Sequence, residues 1–335
     1  MKMKTGRGLT SDTPMVSVVM VAYNAAKYIR QAIKGVVRQK APFAVELLVL
    51  DDCSTDATGE IVKKLAQDYP QIKYVRNETN LGSQRNYLKG FRMARGRYMA
   101  LCDADDYWCY RRKLATQVEY MERNPECALT FHRVINYYQT TGVKTFSNGN
   151  NPDECSVRSL SRSNYITNLS VMYRRELVDF DSLPAWIMNH PSPDYAIHLL
   201  YAVKGSIHYF ARPMGVYRKV DGAIWSTSGE YRRLKMSLDM RRSLMQEFSW
   251  RPEVVKGLRH ASVAIVRAML RCAAADGERA EAEAYAEEFG VDASAFPAAG
   301  GSASLPRRSL LSRTVRTVSR IIPMRLLVQF SGLFA

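Results

Sequence analysis

The stretch YMALCDADDYW, residues 98–108, sets an apolar run directly against three carboxylates, Asp103, Asp105 and Asp106, within four positions. Acids this close repel one another beside a segment that favours burial, so the arrangement calls for a compensating positive charge. Three earlier short apolar runs, Val16–Ala22, Val45–Leu50 and Ile72–Val75, precede the Tyr98–Cys102 run. The first two are rich in Val and Leu with little alternation, as strands covered on both faces are. Amphipathic segments separate them: 25–39, 57–69 and 83–94 read as helices, with Ser54-Thr55-Asp56 suited to start the second. Strand and helix in alternation predict an α/β fold around a mostly parallel sheet with helices on both faces.

Polar clusters follow each strand: Tyr23-Asn24, Asp51-Asp52, Asn77 to Gly82, and Asp103 to Asp106. In an open α/β sheet these share the edge beyond the strands' carboxyl ends, where ligands bind. The first turn, Ala22 to Ala26, has no glycine fingerprint for a dinucleotide, and no phosphate loop of the P-loop kind occurs. Hard carboxylate oxygens instead select Mn2+ or Mg2+ held together with substrate phosphates. On an extended segment Asp103 and Asp105 point the same way and would flank one cation–diphosphate unit. The competing reading is a solvated acidic turn that merely starts the next helix.

Beyond Asp106 a helix is expected at 111–123, strands at 128–135, 165–173 and 206–210, a polar loop at 140–156 and a helix at 195–203. The domain reading is a polar N-terminus (1–14), one catalytic-type domain (15–228, divided near 106), a helical extension (229–291), an Ala/Gly/Ser/Pro-rich linker (292–306) and a basic tail (307–335). The tail carries Arg307, Arg308, Arg313, Arg316, Arg320 and Arg325 with no acid, and Leu311, Val315, Val318 and Ile322 fall on one helical side. Such a segment suits an anionic bilayer surface over 307–330, or docks on the domain.

The 335 residues carry 48 Lys+Arg against 32 Asp+Glu, a formal charge of +16. That surplus points to nucleic acid, an anionic membrane or phosphorylated substrates. Six cysteines form no CxxC pair, which fits free thiols in a reducing compartment. The N-terminus lacks the apolar core of a signal peptide, and no run is long enough to span a bilayer. A cytoplasmic protein, peripheral on the inner face of the membrane, is the expectation.

VSVVMVAYNAAKYIRQAIKGVVRQ (16–39), ELLVLDDCSTDAT (46–58), NETNLGSQRNYLKGFRMARGRYMALCDADDYW (77–108) and RKLATQVEYMERNPE (112–126) together resemble the family 2 glycosyltransferases. The resemblance covers roughly residues 15–226 and implies a GT-A fold and an inverting sugar transfer from a nucleotide-diphosphate donor. It implies that Tyr23 and Asn24 border the base and that Asp52 hydrogen-bonds it, uracil being commonest. Asn80 and Arg85 would lie beside the nucleotide, Asp103 near the ribose, and Asp105 on the metal. Many relatives space their Arg-Asn pair two residues further from the Asn-x-Gly. HPSPDYAIHLLYAVKG (190–205) resembles the segment holding the catalytic base, which makes Asp194 the candidate, although Pro193 stands where relatives often have Glu. A base is required because the attacking oxygen must lose its proton on the side away from the nucleotide. PMGVYRKVDGAIWS (213–226) resembles the closing segment, with Arg218 near the diphosphate and Trp225 over the sugar. His132 would fall on the acceptor side, or be structural, and Trp108 reads as packing.

The acceptor implied is a glycan or a lipid-linked sugar in surface polysaccharide assembly. Three alternatives compete: a nucleotidyltransferase, which usually has a glycine-rich loop after its first strand; a basic nucleic-acid-binding protein; and a degenerate transferase that only binds. AYNAAKY (22–28) is not such a loop, and the densest basic block is terminal and amphipathic rather than interleaved with aromatics, so no nucleic-acid partner is expected.

Overall fold

Alternate residues of the first strand, β1 (Val16–Ala22), enter different cores, which is why it reads as an apolar run broken only by Ser17. Val16, Val18 and Met20 pack against one face and Val19 against the other. The computed structural model of the protein describes residues 13–147, 151, 154–219, 229–274 and 276–296. Trp225, the N-terminal residues 1–12 and the basic tail at 307–335 lie outside the described residues.

The helix-and-strand order follows the expected alternation: α1 (Ile29–Val37), β2 (Val45–Asp51), α2 (Thr58–Asp68), β3 (Ile72–Arg76), α3 (Ser83–Met93) and β4 (Tyr98–Leu101). β1 pairs in parallel with β2 and β4, and β2 with β3, so the order 3-2-1-4 reverses direction at β1. The crevice therefore opens between the carboxyl ends of β1 and β4. Ile29 and Ile33 of α1 and Val62 and Leu65 of α2 cover one face, joined by α4 (Lys113–Arg123) through Leu114, Val118 and Met121. Phe91 of α3 and Leu199 of α7 (Asp194–Ala202) cover the other.

In the second half β6 (Cys127–Tyr138), β9 (Met172–Arg174) and β10 (Ser206–Lys219) extend the sheet. β9 enters antiparallel between β4 and β6, and β10 runs parallel to β6. Several expectations change here. The strand expected at 165–173 is mostly a turn: a 3-10 turn at Asn168–Ser170, closed by Ser170 on the Thr167 carbonyl, precedes the three-residue β9. The strand expected to stop at Phe210 continues to Lys219, because a register shift between Phe210 and Gly215 accommodates Pro213, which cannot donate to a ladder. The polar loop expected at 140–156 holds two short edge strands, β7 (Lys144–Phe146) on β6 and β8 (Glu154–Cys155) on β10. The two-residue β5 (Tyr107–Trp108), unforeseen in the sequence, pairs with Gly215 and Val216 of β10.

Three helices follow: α8 (Glu230–Glu247), α9 (Pro252–Cys272) and α10 (Asp276–Phe289), after α5 (Val157–Arg162) and α6 (Ala185–Asn189) earlier in the chain. Met240 and Leu244 of α8 and Val254 and Leu258 of α9 join the same core as α7, whereas α10 closes a separate cluster through Ala282, Ala286 and Phe289. All six cysteines are free thiols. Among the described residues no helix is long and apolar enough to cross a membrane.

Candidate active site

The acid stretch is a turn, not the extended segment expected, because Asp106 N–H closes back on the Asp103 carbonyl at 3.1 Å. The carboxylates converge all the same: one oxygen from each of Asp103, Asp105 and Asp106 lies within 4.8 Å of the others. β4 holds the start of this turn, and β5, tied to β10, holds its end. Burial first, then the charge of Asp105, pushes the Asp103 carboxyl up to about 7. Burial and the two neighbouring acids push Asp106 well up as well; burial raises Asp105 against the pull of Arg218. An all-oxygen donor set with excess negative charge fits a hard divalent cation such as Mn2+ or Mg2+. Asp106 also accepts the Arg218 backbone N–H at 2.8 Å and is the buried member of the three, whereas Asp103 and Asp105 are partly exposed.

Arg218 sits behind the turn. Its guanidinium donates to the Asp105 carbonyl and to Gln31, and it stacks on the rings of Tyr107 (4.5 Å) and Tyr28 (5.1 Å). In this arrangement it braces the acidic turn from below.

A cavity of about 710 Å3 opens at the switch point, lined by Tyr23, Asn24, Asp52, Asn80, Asp103 and Asp105 among others. Six of the nine candidate residues within the described chain are thus brought to one crevice. Tyr23 is 53% exposed, an aromatic face open to a ligand. Asn24 (φ 47°) and Cys53 (φ 62°) adopt left-handed backbone, and the Asn24 side chain accepts from Thr55 N–H at 2.8 Å. Asp52 accepts from Asn77 Nδ2 (2.8 Å), Leu81 N–H (2.8 Å) and Gly82 N–H (2.9 Å). A carboxylate has about four lone-pair sites, so Asp52 organises the Asn80 loop with one left for a ligand.

Gly82 has φ 82° and ψ 151°, a region only glycine occupies readily. Gly82→Ala is expected to destabilise the fold by about 1–3 kcal/mol in urea unfolding, because strain adds to a displaced Asp52 contact.

Arg85 is not brought in. It lines a different groove with Leu88 and Arg92, because α3 starts at Ser83 and its crevice face is Ser83, Asn86 and Tyr87, three and four residues apart. Asn86, buried, bonds Asn77 and the Leu50 carbonyl. Tyr87 donates to Asp103 and accepts from Asn168 Nδ2 at 3.0 Å.

Asp103 also lines a second cavity of about 590 Å3, together with Asp194. Asp194 opens α7, where the helix N-terminus favours an anion. It accepts from Ser192 Oγ at 2.8 Å and from Asn164 Nδ2 at 3.5 Å, two neutral donors. The charges of Asp194 and Asp103 reach each other, since Asp194 contributes to the raised Asp103 carboxyl. His132 is buried in the sheet, with Nδ1 on the Arg133 carbonyl at 2.8 Å, and burial holds it neutral; it lines neither cavity. Trp108 is buried and donates to the Leu169 carbonyl at 2.9 Å, the packing role expected.

Tyr87, Asn168, Ser192 and Arg241 were not legible as site residues. Tyr87 had a signal, one helical turn from Ser83. Asn168 lay in an expected strand, and Arg241 in an ordinary helical pattern.

Comparison with known proteins bears on the fold. An uncharacterized protein of Mycobacterium tuberculosis is 38% identical over 221 residues, 65% of this chain; the match spans 62% of that relative's own length. Staphylococcus aureus TarS 1-349, solved with UDP-GlcNAc, superposes with TM-score 0.62 at 17% identity, covering 82% of this chain and 80% of that one. The mannosyltransferase PcManGT of Pyrobaculum calidifontis, solved with GDP-Man and Mn2+, gives TM-score 0.52 at 18% identity, covering 91% and 80%. These likenesses establish the GT-A fold. Residues 17–179 match the model of glycosyl transferase family 2, and over that stretch the chain is similar to that family.

Proposed function

We propose that the protein moves a sugar, with inversion, from a nucleotide-diphosphate donor to a hydroxyl of a glycan or lipid-linked acceptor, in the assembly of a surface polysaccharide. The observation that carries this reading is the shared wall. Asp103 lines both the crevice of Tyr23 and Asp52 and the cavity of Asp194, so two substrates would meet at the acidic turn.

In this reading the nucleoside rests against Tyr23, Asn24, Asp52 and Asn80. Asp105 and Asp103 would hold Mn2+ or Mg2+, which when bound supplies positive charge to the diphosphate. Arg218 keeps Asp105 in place by its bond to that residue's carbonyl. Asp194 takes the proton of the acceptor hydroxyl as its oxygen bonds to the anomeric carbon. The bond from that carbon to the phosphate oxygen breaks on the opposite side, its electron pair leaving with the nucleoside diphosphate. Attack opposite the leaving group is what inverts the centre.

UDP-GlcNAc in TarS and GDP-Man in PcManGT support a nucleotide-sugar donor, and a UDP-sugar is our choice. We further propose residues 15–228 as the transferase domain, Trp225 as part of its closing segment, and 307–330 as a peripheral contact with an anionic membrane.

A thermal-shift panel of UDP-Glc, UDP-GlcNAc and GDP-Man, with Mn2+ and with EDTA, tests the reading. A true donor stabilises by about 2.7 kcal/mol at one hundred times its Kd, and only with the metal. Absence of any metal-dependent shift across the panel, with sugars and bare nucleotides alike, would overturn it.

A further inference from the structure

The wall of the Asp194 cavity contributed by α8 holds a cation without an anion. Arg241 is 8% exposed. Its Nη1 donates to the Ser237 carbonyl (3.0 Å) and hydroxyl oxygen (2.5 Å), and its guanidinium carbon lies 5.1 Å from the Tyr195 ring centroid. Its Nε is buried and has no partner among the described residues. None of the ion pairs among the described residues involves Arg241, and no carboxylate opposes the loss of charge that burial favours. A guanidinium taken out of water this far is costly unless an anion meets it.

Its position is fixed relative to Asp194. His190, four residues before Asp194, pairs Nε2 with the Met236 carbonyl at 2.9 Å, and its Nδ1 accepts Ser192 N–H at 3.1 Å. That double contact requires the neutral Nε2–H tautomer and pins α8 to the loop carrying Asp194. Lys219 lines the same cavity, but its attraction is to Asp106, so Arg241 is the cation left over.

We propose that Arg241 binds an oxyanion on the acceptor, so that the substrate entering beside Asp194 carries a phosphate ester or a carboxylate near its reacting hydroxyl. This rests on the glycosyltransferase reading and adds the acceptor's chemical class to it. The planar fork of arginine suits either group.

The test titrates glucose 1-phosphate, glucuronate and neutral methyl glucoside into the full chain, with and without Mn2+ and UDP on the donor side. At least one of the two anions is expected to bind about tenfold or more tightly than methyl glucoside, and which one wins tells phosphate from carboxylate. Arg241→Gln is expected to erase that preference, and Arg241→Lys, which keeps the charge but not the fork, to retain part of it. Equal binding of all three ligands by the natural chain overturns the proposal without any variant. So does an unchanged preference in a folded Arg241→Gln. Mn2+-dependent UDP affinity, measured on the same three proteins, is expected to stay the same. If the natural chain lacks that affinity, the donor reading fails, while the anion preference is still read from the nucleotide-free titration.

Discussion

Asp194→Asn is expected to cut acceptor-dependent nucleotide release by about 10²–10⁴-fold while leaving Mn2+-dependent donor affinity within about twofold. The reasoning is positional. Asp194 lines the second cavity together with Asp103 and Asp106 of the acidic turn and holds only neutral donors, Ser192 and Asn164. The amide is nearly isosteric and keeps both contacts within reach, so the loop should keep its shape while losing a proton acceptor. Release assays at saturating donor, paired with calorimetric titration of the nucleotide, separate the outcomes. A parallel fall in affinity and turnover would make Asp194 a loop-shaping residue and remove it from the chemistry.

Asp105→Asn is expected to act in opposite directions with and without metal. In EDTA at neutral pH three clustered acids repel, and one fewer charge should raise the melting temperature by roughly 2–4 °C. The pH window follows from Asp103, whose carboxyl is pushed up to about 7 by burial and by Asp105. A carboxyl raised in the folded state loses stability as pH climbs from its unfolded value near 4 toward about 7, the full loss being present above. The two proteins should therefore melt alike near pH 4 and diverge toward pH 7.5. With Mn2+ and nucleotide the order reverses, because the variant lacks a ligand and should lose about 100-fold or more in metal-dependent affinity. A variant that melts no higher in EDTA, or keeps its metal response, would dissociate Asp105 from both effects.

The nucleotide half of the fold was legible because its signals are local. Val16–Ala22 and Val45–Asp51 are apolar apart from Ser17, Glu46 and Asp51, and the helices among the strands carry their apolar residues at helical spacing, so the pattern predicts element and order alike. Crevice residues that follow strands directly, Tyr23, Asn24, Asp52 and Asp103, were legible for the same reason, since strand ends share one edge. Arg85 lies in a neighbouring groove because a helix face depends on the starting residue, and a single step carries a side chain from one groove to the next.

The second half resisted for a different reason. Pro213 marked a strand end, yet pairing with β6 carries the strand past it through a bulge. Asn168 reached Tyr87 only because a turn interrupts what looked like a strand. The sequence by itself determined the parallel sheet, its covered faces and the acid cluster after its fourth strand, all encoded in runs of a few residues. Only the tertiary structure decided that Asp194 and Arg241, from a helix far along the chain, line one cavity with that cluster. Such meetings depend on long-range packing of α7 and α8 into one core, and no local periodicity records which distant faces will touch.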